Sequence, residues 1–396
     1  MPSVKIGIDL SMLVYAGSGV ATYTFELTQN LLRIDDKNTY VGFYSSLRRP
    51  QNFYYLPELK KLGAAIFDYR LPPTLLRFIW GKNQFIPIEW LIGRVDVYHS
   101  SDFLRPPTIY AKGVTTVHDL TWQFYPEYHT KEVVKAHERK IQLTLKYDDE
   151  IIAVSESTKK DLCKVFNINQ NKIHVIYEGV DHKKFKVQSF DKAQDRNEKL
   201  KIRRILEKHK IAPPYILYVG AIEPRKNLLK LIEAFSLLLK TQDFENFKLV
   251  IAGRAGWKNE EIFRLVKRLG LETKVTFSGF VQDADLPYLY AEASVFVYPS
   301  LYEGFGLPVL EAMASGCPVV TSANSSLIEV AGKAAVYIDA KSSRSIAEGI
   351  KKVLMNKDFT QKLTNLGLTQ AAKFTWTKTA EETLKVYQEV YKRRSG

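Results

Sequence analysis

Two carboxylates flank a glycine-rich turn in the segment YEGFGLPVLEAMASG, residues 302–316. Pro308 and Gly316 predict a short helix over residues 307–315, because proline suits a first helical turn and glycine suits the position just past a last one. The first amides of a helix lack partners within it, and the helix macrodipole adds about half a positive charge there. The turn is therefore predicted to bind an anion, and its glycines would let a diphosphate approach the backbone closely.

The two carboxylates, Glu303 and Glu311, suit hydroxyl groups better than phosphates. Glu303 precedes the turn, and Glu311 would lie roughly 5 Å along the helix axis. The order of carboxylate, bare backbone and carboxylate matches sugar, diphosphate and ribose. The predicted site consists of Glu303, Gly304, Phe305, Gly306, Leu307 and Glu311. On these residues alone a capping arrangement is the alternative, with Glu303 favouring the helix N-terminus and Glu311 on a solvated face.

Two adjacent cations, Arg225 and Lys226, follow the predicted strand 215–220 at its carboxyl end. Arginine binds phosphate through two parallel hydrogen bonds and lysine acts as a point charge, so the pair suits a departing diphosphate. A solvated turn is the alternative. Arg254, which follows the predicted strand 247–253, is a further candidate contact to a diphosphate or a base.

His118 ends the predicted strand 113–118, so its imidazole should lie at the ligand-binding edge of that sheet. A neutral imidazole can accept a hydrogen bond from a sugar hydroxyl or donate one to a phosphate. A lone histidine elsewhere would more often be structural. The neighbouring Asp119 can be explained as a cap of the next turn.

Two further motifs are explained without a cofactor or a metal. The turn GSG at residues 17–19 fails the G-x-G-x-x-G fingerprint of a dinucleotide site, because residue 22 is Thr. Asp283 and Asp285 look like a metal-binding Asp-x-Asp pair, but Pro287 in the first turn of the following helix makes Asp285 a predicted N-cap. We therefore expect neither a nicotinamide cofactor nor a metal ion.

The elements that must position these residues alternate between strands and helices, which predicts parallel sheets covered by helices on both faces. The alternation stops in a charged, weakly periodic stretch and then restarts. In chain order, the predicted parts are a first domain, 1–182, a linker, 183–213, a second domain, 214–376, and a C-terminal helix, 377–396, that packs back toward the first domain. Ligands bind at the carboxyl ends of such strands, so two facing domains would form a cleft.

Composition argues against several other classes of protein. The 396 residues are 45% hydrophobic and carry a net charge of +14, and no apolar run reaches the length of a membrane-spanning helix. Two cysteines suggest no disulfide framework, and the first residues lack a signal-peptide pattern, so a cytoplasmic protein is expected. A basic surface suits anionic ligands or acidic lipid headgroups. The lack of a nucleic-acid-binding motif argues against a nucleic-acid partner.

Residues 303–320, EGFGLPVLEAMASGCPVV, resemble the E-x7-E signature of the family 4 retaining glycosyltransferases, which have the GT-B fold. The resemblance covers nearly the whole chain and includes VGAIEPRKN (219–227), SSLIEVAG (325–332), GIDLSML (7–13) and VTTVHDL (114–120). It implies two Rossmann-like α/β domains that face each other across a cleft. The second would bind the nucleotide-sugar donor and the first the acceptor.

The same resemblance implies roles for residues outside the opening segment. His118 would lie next to the donor sugar. Gly17 and Gly19 would approach the donor phosphate from the first domain, and the backbone at Val281 would meet the nucleotide base.

Within the family, the HDL and EPRKN motifs are similar to those of bacterial mannosyltransferases of surface-polysaccharide assembly. The resemblance therefore implies metal-independent transfer of mannose from GDP-mannose to a hydroxyl of a glycan or lipid-linked acceptor, with retained anomeric configuration. A sugar-nucleotide epimerase of the same fold and a catalytically silent sugar-nucleotide-binding protein are the alternatives. The aromatic and cationic stretch 72–91 is either core or a surface that contacts lipid, so an anionic membrane on the cytoplasmic side is a further expected partner.

Overall fold

The structure is a computed structural model that describes residues 3–47, 53–100, 103–187, 195–256 and 259–393. The chain folds into two compact units. The first combines Met1–Gly179 with Thr375–Gly396, and the second comprises Val180–Phe374. Each unit holds one parallel sheet whose strands are connected by helices, so the predicted α/β class with two Rossmann-like sheets is confirmed.

The first unit contains seven strands. In chain order, β1 to β7 are Lys5–Asp9, Thr39–Ser45, Ala65–Tyr69, Val97–Ser100, Lys112–Val117, Glu150–Ala153 and Ile173–Val175. All neighbouring pairs are parallel, in the order β3-β2-β1-β4-β5-β6-β7. Helices α1 to α7 are Gly19–Ile34, Tyr55–Lys61, Pro73–Leu76, Glu89–Ile92, Thr121–Phe124, Lys131–Lys146 and Glu156–Phe166. A π-helical segment, Arg77–Asn83, follows α3.

The second unit contains six strands. Strands β8 to β13 are Tyr215–Val219, Lys248–Ala252, Val275–Gly279, Val295–Tyr298, Val319–Ser322 and Ala335–Ile338, and their order is β10-β9-β8-β11-β12-β13. Helices α8 to α16 are His182–Phe185, Arg196–Lys208, Leu228–Leu238, Glu260–Arg268, Leu286–Glu292, Leu307–Ala314, Leu327–Ala331, Ser343–Leu354 and Lys357–Ala371. The last helix, α17, is Trp376–Lys392 and belongs to the first unit.

The strands are short apolar runs because helices cover both faces of a parallel sheet. All four residues of β11, VFVY, are buried, and so are all four of β12. Each run ends in a polar or glycine-rich loop at the carboxyl edge of its sheet. These loops carry the predicted binding and catalytic residues: Arg225 follows β8, Arg254 follows β9, and Glu303 follows β11.

The last helix closes the first unit. α17 packs against α1, and the hydroxyl of Tyr387 in α17 lies 2.6 Å from Nδ1 of His99 in β4. Gly179 lies so close to the start of α17 that a Cβ at this position would come within 2.2 Å of the Trp376 amide nitrogen. The carboxyl-terminal segment is therefore an integral part of the first unit. Across the described residues, no helix combines the length and the apolar character needed to cross a bilayer.

The charged stretch between the two predicted domains forms helices α8 and α9 of the second unit, and its residues 188–194 lie outside the described part. α9 packs against α12, which Asp285 precedes. The carboxylate of Asp285 makes no capping hydrogen bond to α12; it accepts one from Nζ of Lys208 at 2.6 Å and lies 2.9 Å from Nε2 of His209. Asp285 therefore occupies the predicted N-cap position, but its side chain does not cap α12, because two basic side chains from and just after α9 hold the carboxylate.

Candidate active site

The start of α13 has the backbone that the sequence predicts. Gly306 occupies the N-cap position at φ 107°, Pro308 lies in the first turn, and Gly316 follows the helix at φ 73°. The positive φ favours glycine here, and a Cβ at residue 306 would also lie 2.7 Å from Cδ2 of Leu327, whose side chain would have to shift. The first hydrogen bond of the helix runs from the Val309 amide to the Gly306 carbonyl. The amides of residues 304–307 thus precede the hydrogen-bonded turns and form the positive end of α13.

Directly in front of this helix, one buried carboxylate holds two cations. Oε1 of Glu303 accepts a hydrogen bond from Nζ of Lys226 at 2.6 Å, and Oε2 accepts one from Nη1 of Arg225 at 2.8 Å. Nζ of Lys226 also donates to the Tyr298 hydroxyl at 2.6 Å, and Nη2 of Arg225 donates to Oε1 of Glu223 at 2.8 Å. Glu303 and Lys226 are each 7% exposed. The structure therefore brings together three residues that the sequence predicts from separate motifs.

The charges of this cluster stabilise one another. Burial by itself would raise the pKa of Glu303, but the positive charges of Arg225 and Lys226 outweigh it and lower that pKa to about 2. Burial and repulsion by Arg225 lower the pKa of Lys226. Each oxygen of Glu303 accepts from one cation, and a carboxylate oxygen can accept more than one hydrogen bond. The cluster can thus bind hydroxyl groups through Glu303 and an anion through the cations and the helix amides.

Two serines that sequence reasoning missed fix the backbone of the turn. Oγ of Ser325 accepts from the Glu303 amide at 3.0 Å. Oγ of the fully buried Ser326 lies 2.9 Å from the Glu303 carbonyl and 2.8 Å from the Phe305 carbonyl. Both serines belong to SSLIEVAG, a segment that contributes to the family resemblance but has no predicted role of its own. Glu223 was also missed, although it stands two positions before Arg225 in the EPRKN motif.

The capping alternative places Glu311 on a solvated helix face, but in the structure it does not lie on one. Its side chain is partly buried, and Oε2 accepts a hydrogen bond at 2.9 Å from the hydroxyl of the fully buried Tyr290. Burial raises the pKa of Glu311, against the opposing effects of Lys184 and of the Tyr290 hydrogen bond. A carboxylate held in this way, one turn into α13, retains lone pairs for ligand hydroxyl groups.

The loops after β9 and β10 add an exposed platform at the same edge of the sheet. The guanidinium carbon of Arg254 lies 4.2 Å from the centre of the Phe280 ring, which is 42% exposed. Val281 beside it is buried. A Cβ at Gly253 would come within 1.9 Å of the Gly220 carbonyl oxygen, so the loops after β8 and β9 are in direct contact. A planar group could stack on this platform.

The first unit holds the remaining predicted residues. His118 follows β5, and its Nδ1 lies 3.2 Å from Oε1 of Glu178, which sequence reasoning missed. The Tyr23 ring packs against the His118 imidazole at 4.7 Å in an edge-to-face arrangement. Because Tyr23 belongs to α1, this contact ties His118 to the helix that begins in the turn with Gly17 and Gly19.

Two local details complete this edge of the first unit. Gly17 and Gly19 are exposed and flank Ser18, whose Oγ accepts the Ala21 amide hydrogen bond at 3.2 Å and so caps α1. Oδ1 of Asp119 accepts the Thr121 amide hydrogen bond at 2.9 Å. Asp119 therefore caps the turn that follows His118.

The chain matches known proteins over nearly its full length. Residues 17–184 match the family model "Glycosyltransferase Family 4", and residues 201–370 match "Glycosyl transferases group 1". Over 397 aligned residues the chain is 35% identical to the O-antigen chain mannosyltransferase B of Escherichia coli, and the alignment covers 97% of this chain and 100% of that protein.

Two solved structures share the fold. The sucrose-phosphate synthase of Thermosynechococcus elongatus superposes with a TM-score of 0.75 at 19% identity, covering 98% of this chain and 100% of that one. HepE of Anabaena, solved in complex with UDP and glucose, superposes with a TM-score of 0.70 at 17% identity, covering 97% and 98%. At these identities the likeness concerns the fold alone.

Proposed function

The chain belongs to the family 4, or group 1, glycosyltransferases with the GT-B fold, and from this premise we propose that it transfers mannose from GDP-mannose to a hydroxyl of a glycan or lipid-linked acceptor with retention of configuration. The observation that carries the proposal is the buried cluster of Glu303, Arg225 and Lys226 in front of the N-terminus of α13. The name of the 35% identical relative, an O-antigen chain mannosyltransferase, supports mannose as the sugar and a glycan as the acceptor.

In the proposed step, the bond between the anomeric carbon of the sugar and the diphosphate oxygen breaks. A bond to the acceptor oxygen forms on the same face, and the departing oxygen takes the acceptor proton. Arg225, Lys226 and the amides at the start of α13 hold the developing anion, while Glu303 accepts from sugar hydroxyls. Removing one preorganised donor of this kind raises the barrier by about 3–4 kcal/mol. No metal ion takes part in this step.

The remaining site residues complete the donor site. Glu311 accepts from the ribose hydroxyls, and Arg254 stacks on the base near Val281. HepE shares this fold and was solved in complex with UDP and glucose, which supports the proposal of a nucleotide ligand. The turn at residues 17–19 approaches the donor phosphate, and His118 contacts the donor sugar.

A donor panel tests the proposal. GDP-mannose, GDP-fucose, UDP-glucose and UDP-galactose are incubated with the protein, with and without mannose-terminated oligosaccharides. We expect GDP release from GDP-mannose only with acceptor, an α-linked product by NMR, and unchanged rates in EDTA. Glu303→Gln should abolish turnover, whereas the exposed Glu261→Gln should not change it. Free sugar released without acceptor would indicate the epimerase, and stabilisation by nucleotide sugar without turnover would indicate a silent binding protein.

We also propose that the first unit contacts an anionic membrane on the cytoplasmic side, where a lipid-linked acceptor would be presented. In the stretch 72–91, Trp80 is buried, but Phe78, Phe85 and Trp90 are 54%, 64% and 69% exposed. Part of the stretch is thus core and part is surface. A cavity of about 520 Å³ beside it is lined by Arg77, Lys135 and Arg139 among others. Exposed aromatic rings next to cations suit a lipid interface with acidic headgroups.

Sedimentation with vesicles tests this contact. At low salt the protein should sediment with vesicles of phosphatidylglycerol but not with phosphatidylcholine alone, because the attraction is electrostatic. Replacing Phe78, Phe85 and Trp90 by serine should reduce binding at least tenfold. The matched control replaces Ile328 and Leu368 of the second unit, 48% and 45% exposed, by serine and should bind normally. Equal binding by both variants would contradict the proposal.

A further inference from the structure

His118 is in contact with a buried carboxylate, Glu178. Glu178 is 4% exposed, and its Oε1 lies 3.2 Å from Nδ1 of His118. The two residues are 60 positions apart, and no motif links them. A buried carboxylate is costly unless it accepts hydrogen bonds, so this contact is a built feature of the fold and does not arise by chance at a flexible surface.

The contact determines which ring nitrogen of His118 carries the proton. An ionised carboxylate can only accept hydrogen bonds, so Nδ1 of His118 must be the donor. In a neutral imidazole the other nitrogen, Nε2, then carries the lone pair and acts as an acceptor. Without an acceptor at Nδ1, the proton of the neutral ring could reside on either nitrogen.

Glu178 and His118 lie in closely packed surroundings. The next residue, Gly179, packs against the backbone at the start of α17, where a Cβ would approach the Trp376 amide nitrogen to 2.2 Å. On the histidine side, the Tyr23 hydroxyl is anchored at 3.0 Å to Oγ1 of Thr116 in β5, so the ring that packs against His118 is also fixed. Burial raises the pKa of Tyr23, which keeps its hydroxyl protonated.

We propose that Glu178 is a positioning residue for the transfer reaction: it holds His118 in the tautomer with the proton on Nδ1 and turns Nε2 toward the donor sugar as a hydrogen-bond acceptor. This inference rests on the proposed function, because it assumes that His118 contacts the donor sugar. The role of Glu178 is orientation, so a neutral residue that keeps an oxygen acceptor at the same place should replace it.

The tautomer can be measured without any substrate. The protein is labelled with ¹⁵N-histidine, and long-range ¹H–¹⁵N spectra report which nitrogen of each of its seven histidines is protonated. The His118 signals are assigned by their loss in His118→Gln. We expect Nδ1 protonation in the wild type and in Glu178→Gln, whose amide oxygen can still accept. Glu178→Ala should shift the proton to Nε2 or to a mixture. If Glu178→Ala does not fold, Glu178→Leu, which also removes the acceptor, takes its place.

Activity with the donor identified by the panel gives the second readout. For metal-ligating histidines, loss of the carboxylate that accepts from the ring lowers activity by about 10- to 100-fold. We expect this loss in kcat for Glu178→Ala, a smaller change in donor KM, and recovery to within a few-fold of wild type in Glu178→Gln. The matched control is Glu150→Ala, which removes a carboxylate 2.8 Å from Nε2 of His174 in the same unit and should leave kcat unchanged.

The outcomes separate the two proposals. An unchanged His118 tautomer in Glu178→Ala, or an equal loss of kcat in Glu178→Gln and Glu178→Ala, would overturn the positioning role while the transferase remains. A wild-type protein that transfers no sugar from any donor would overturn the proposed function, and the spectra would still report whether Glu178 sets the tautomer.

Discussion

At the scale of single residues, the site depends on carboxylates whose surroundings push their pKa values in opposite directions. Glu303 is buried with two cations, which lower its pKa, whereas burial raises the pKa of Glu311 with only a tyrosine hydrogen bond and a more distant lysine to oppose it. The two glutamates of one motif therefore affect stability in opposite ways. Ionised Glu303 stabilises the folded protein. Ionised Glu311 lowers the stability of the fold, and a role in ligand binding would explain a glutamate at this position.

Glu303→Gln tests the ion-pair cluster. A carboxylate whose pKa is lowered by folding stabilises the protein above its ordinary pKa of 4.5, and this contribution is lost as the pH falls toward 2. At pH 7 the free energy of unfolding of the variant should be about 3–5 kcal/mol lower than that of the wild type, because two buried cations lose their partner. The deficit should shrink between pH 4.5 and the acid limit of the urea titrations. The exposed Glu261→Gln serves as control, and a deficit that does not change with pH would contradict the assignment.

Glu311→Gln should behave in the opposite way. Because the folded-state pKa is raised, ionisation of Glu311 costs stability once the pH exceeds its ordinary pKa of 4.5. The neutral amide still accepts from Tyr290 and should stabilise the protein at pH 7 by on the order of 1 kcal/mol. Donor KM should rise, since the ribose hydroxyls lose a charged acceptor. Thermal unfolding and donor kinetics measure both effects, and a variant less stable than wild type at pH 7 would refute the prediction.

At the scale of elements, the helix α13 works through its two ends. At its N-terminus Gly306 turns the chain at φ 107°, and at its C-terminus Gly316 ends the helix with φ 73°. Both glycines are required by the backbone, but only the first lies beside Glu303. The pair therefore offers a way to separate a loss of stability from a loss of binding.

Gly306→Ala and Gly316→Ala form that matched pair. Each alanine must adopt a left-handed conformation, which costs about 1–3 kcal/mol in the free energy of unfolding. Only Gly306→Ala should also raise donor KM or lower kcat, by on the order of 10- to 100-fold, since it displaces the amides that face the diphosphate. Urea unfolding and donor kinetics on both variants give the comparison. Equal kinetic defects would show that the N-terminus of α13 has no special role.

At the scale of the whole molecule, the first unit is completed by the carboxyl-terminal end of the chain. Tyr387 of α17 contacts His99, and Nε2 of His99 lies 2.7 Å from Oγ1 of Thr116, the residue that also anchors Tyr23. Burial, with repulsion from the positive charge of Lys140, lowers the pKa of His99 to about 3, so its imidazole stays neutral between the two hydroxyls. This buried chain of hydrogen bonds joins α17 to the strand that precedes His118.

Tyr387→Phe tests this connection. The variant leaves His99 buried with one partner fewer, which should cost about 1–3 kcal/mol in the free energy of unfolding. Nucleotide binding by the second unit should not change, which isothermal titration with GDP would show. Tyr391→Phe, on a partly exposed position of the same helix, should stay within about 0.5 kcal/mol of wild type. A Tyr387→Phe protein as stable as wild type would contradict the structural role of this contact.

Local patterns in the sequence determined the α/β class, the short helix after the glycine-rich turn and the position of chemically active residues at strand ends. Proline, glycine and apolar periodicity act over a few neighbouring residues, so these features can be predicted from the sequence alone. Only the tertiary structure decided which side chains meet. Glu303 contacts Lys226, which is 77 positions away in the sequence, and His118 contacts Glu178, which is 60 positions away. Asp285 accepts a hydrogen bond from Lys208, 77 positions away, and does not make the predicted capping bond. Such contacts follow from strand order and helix packing, which no local pattern encodes.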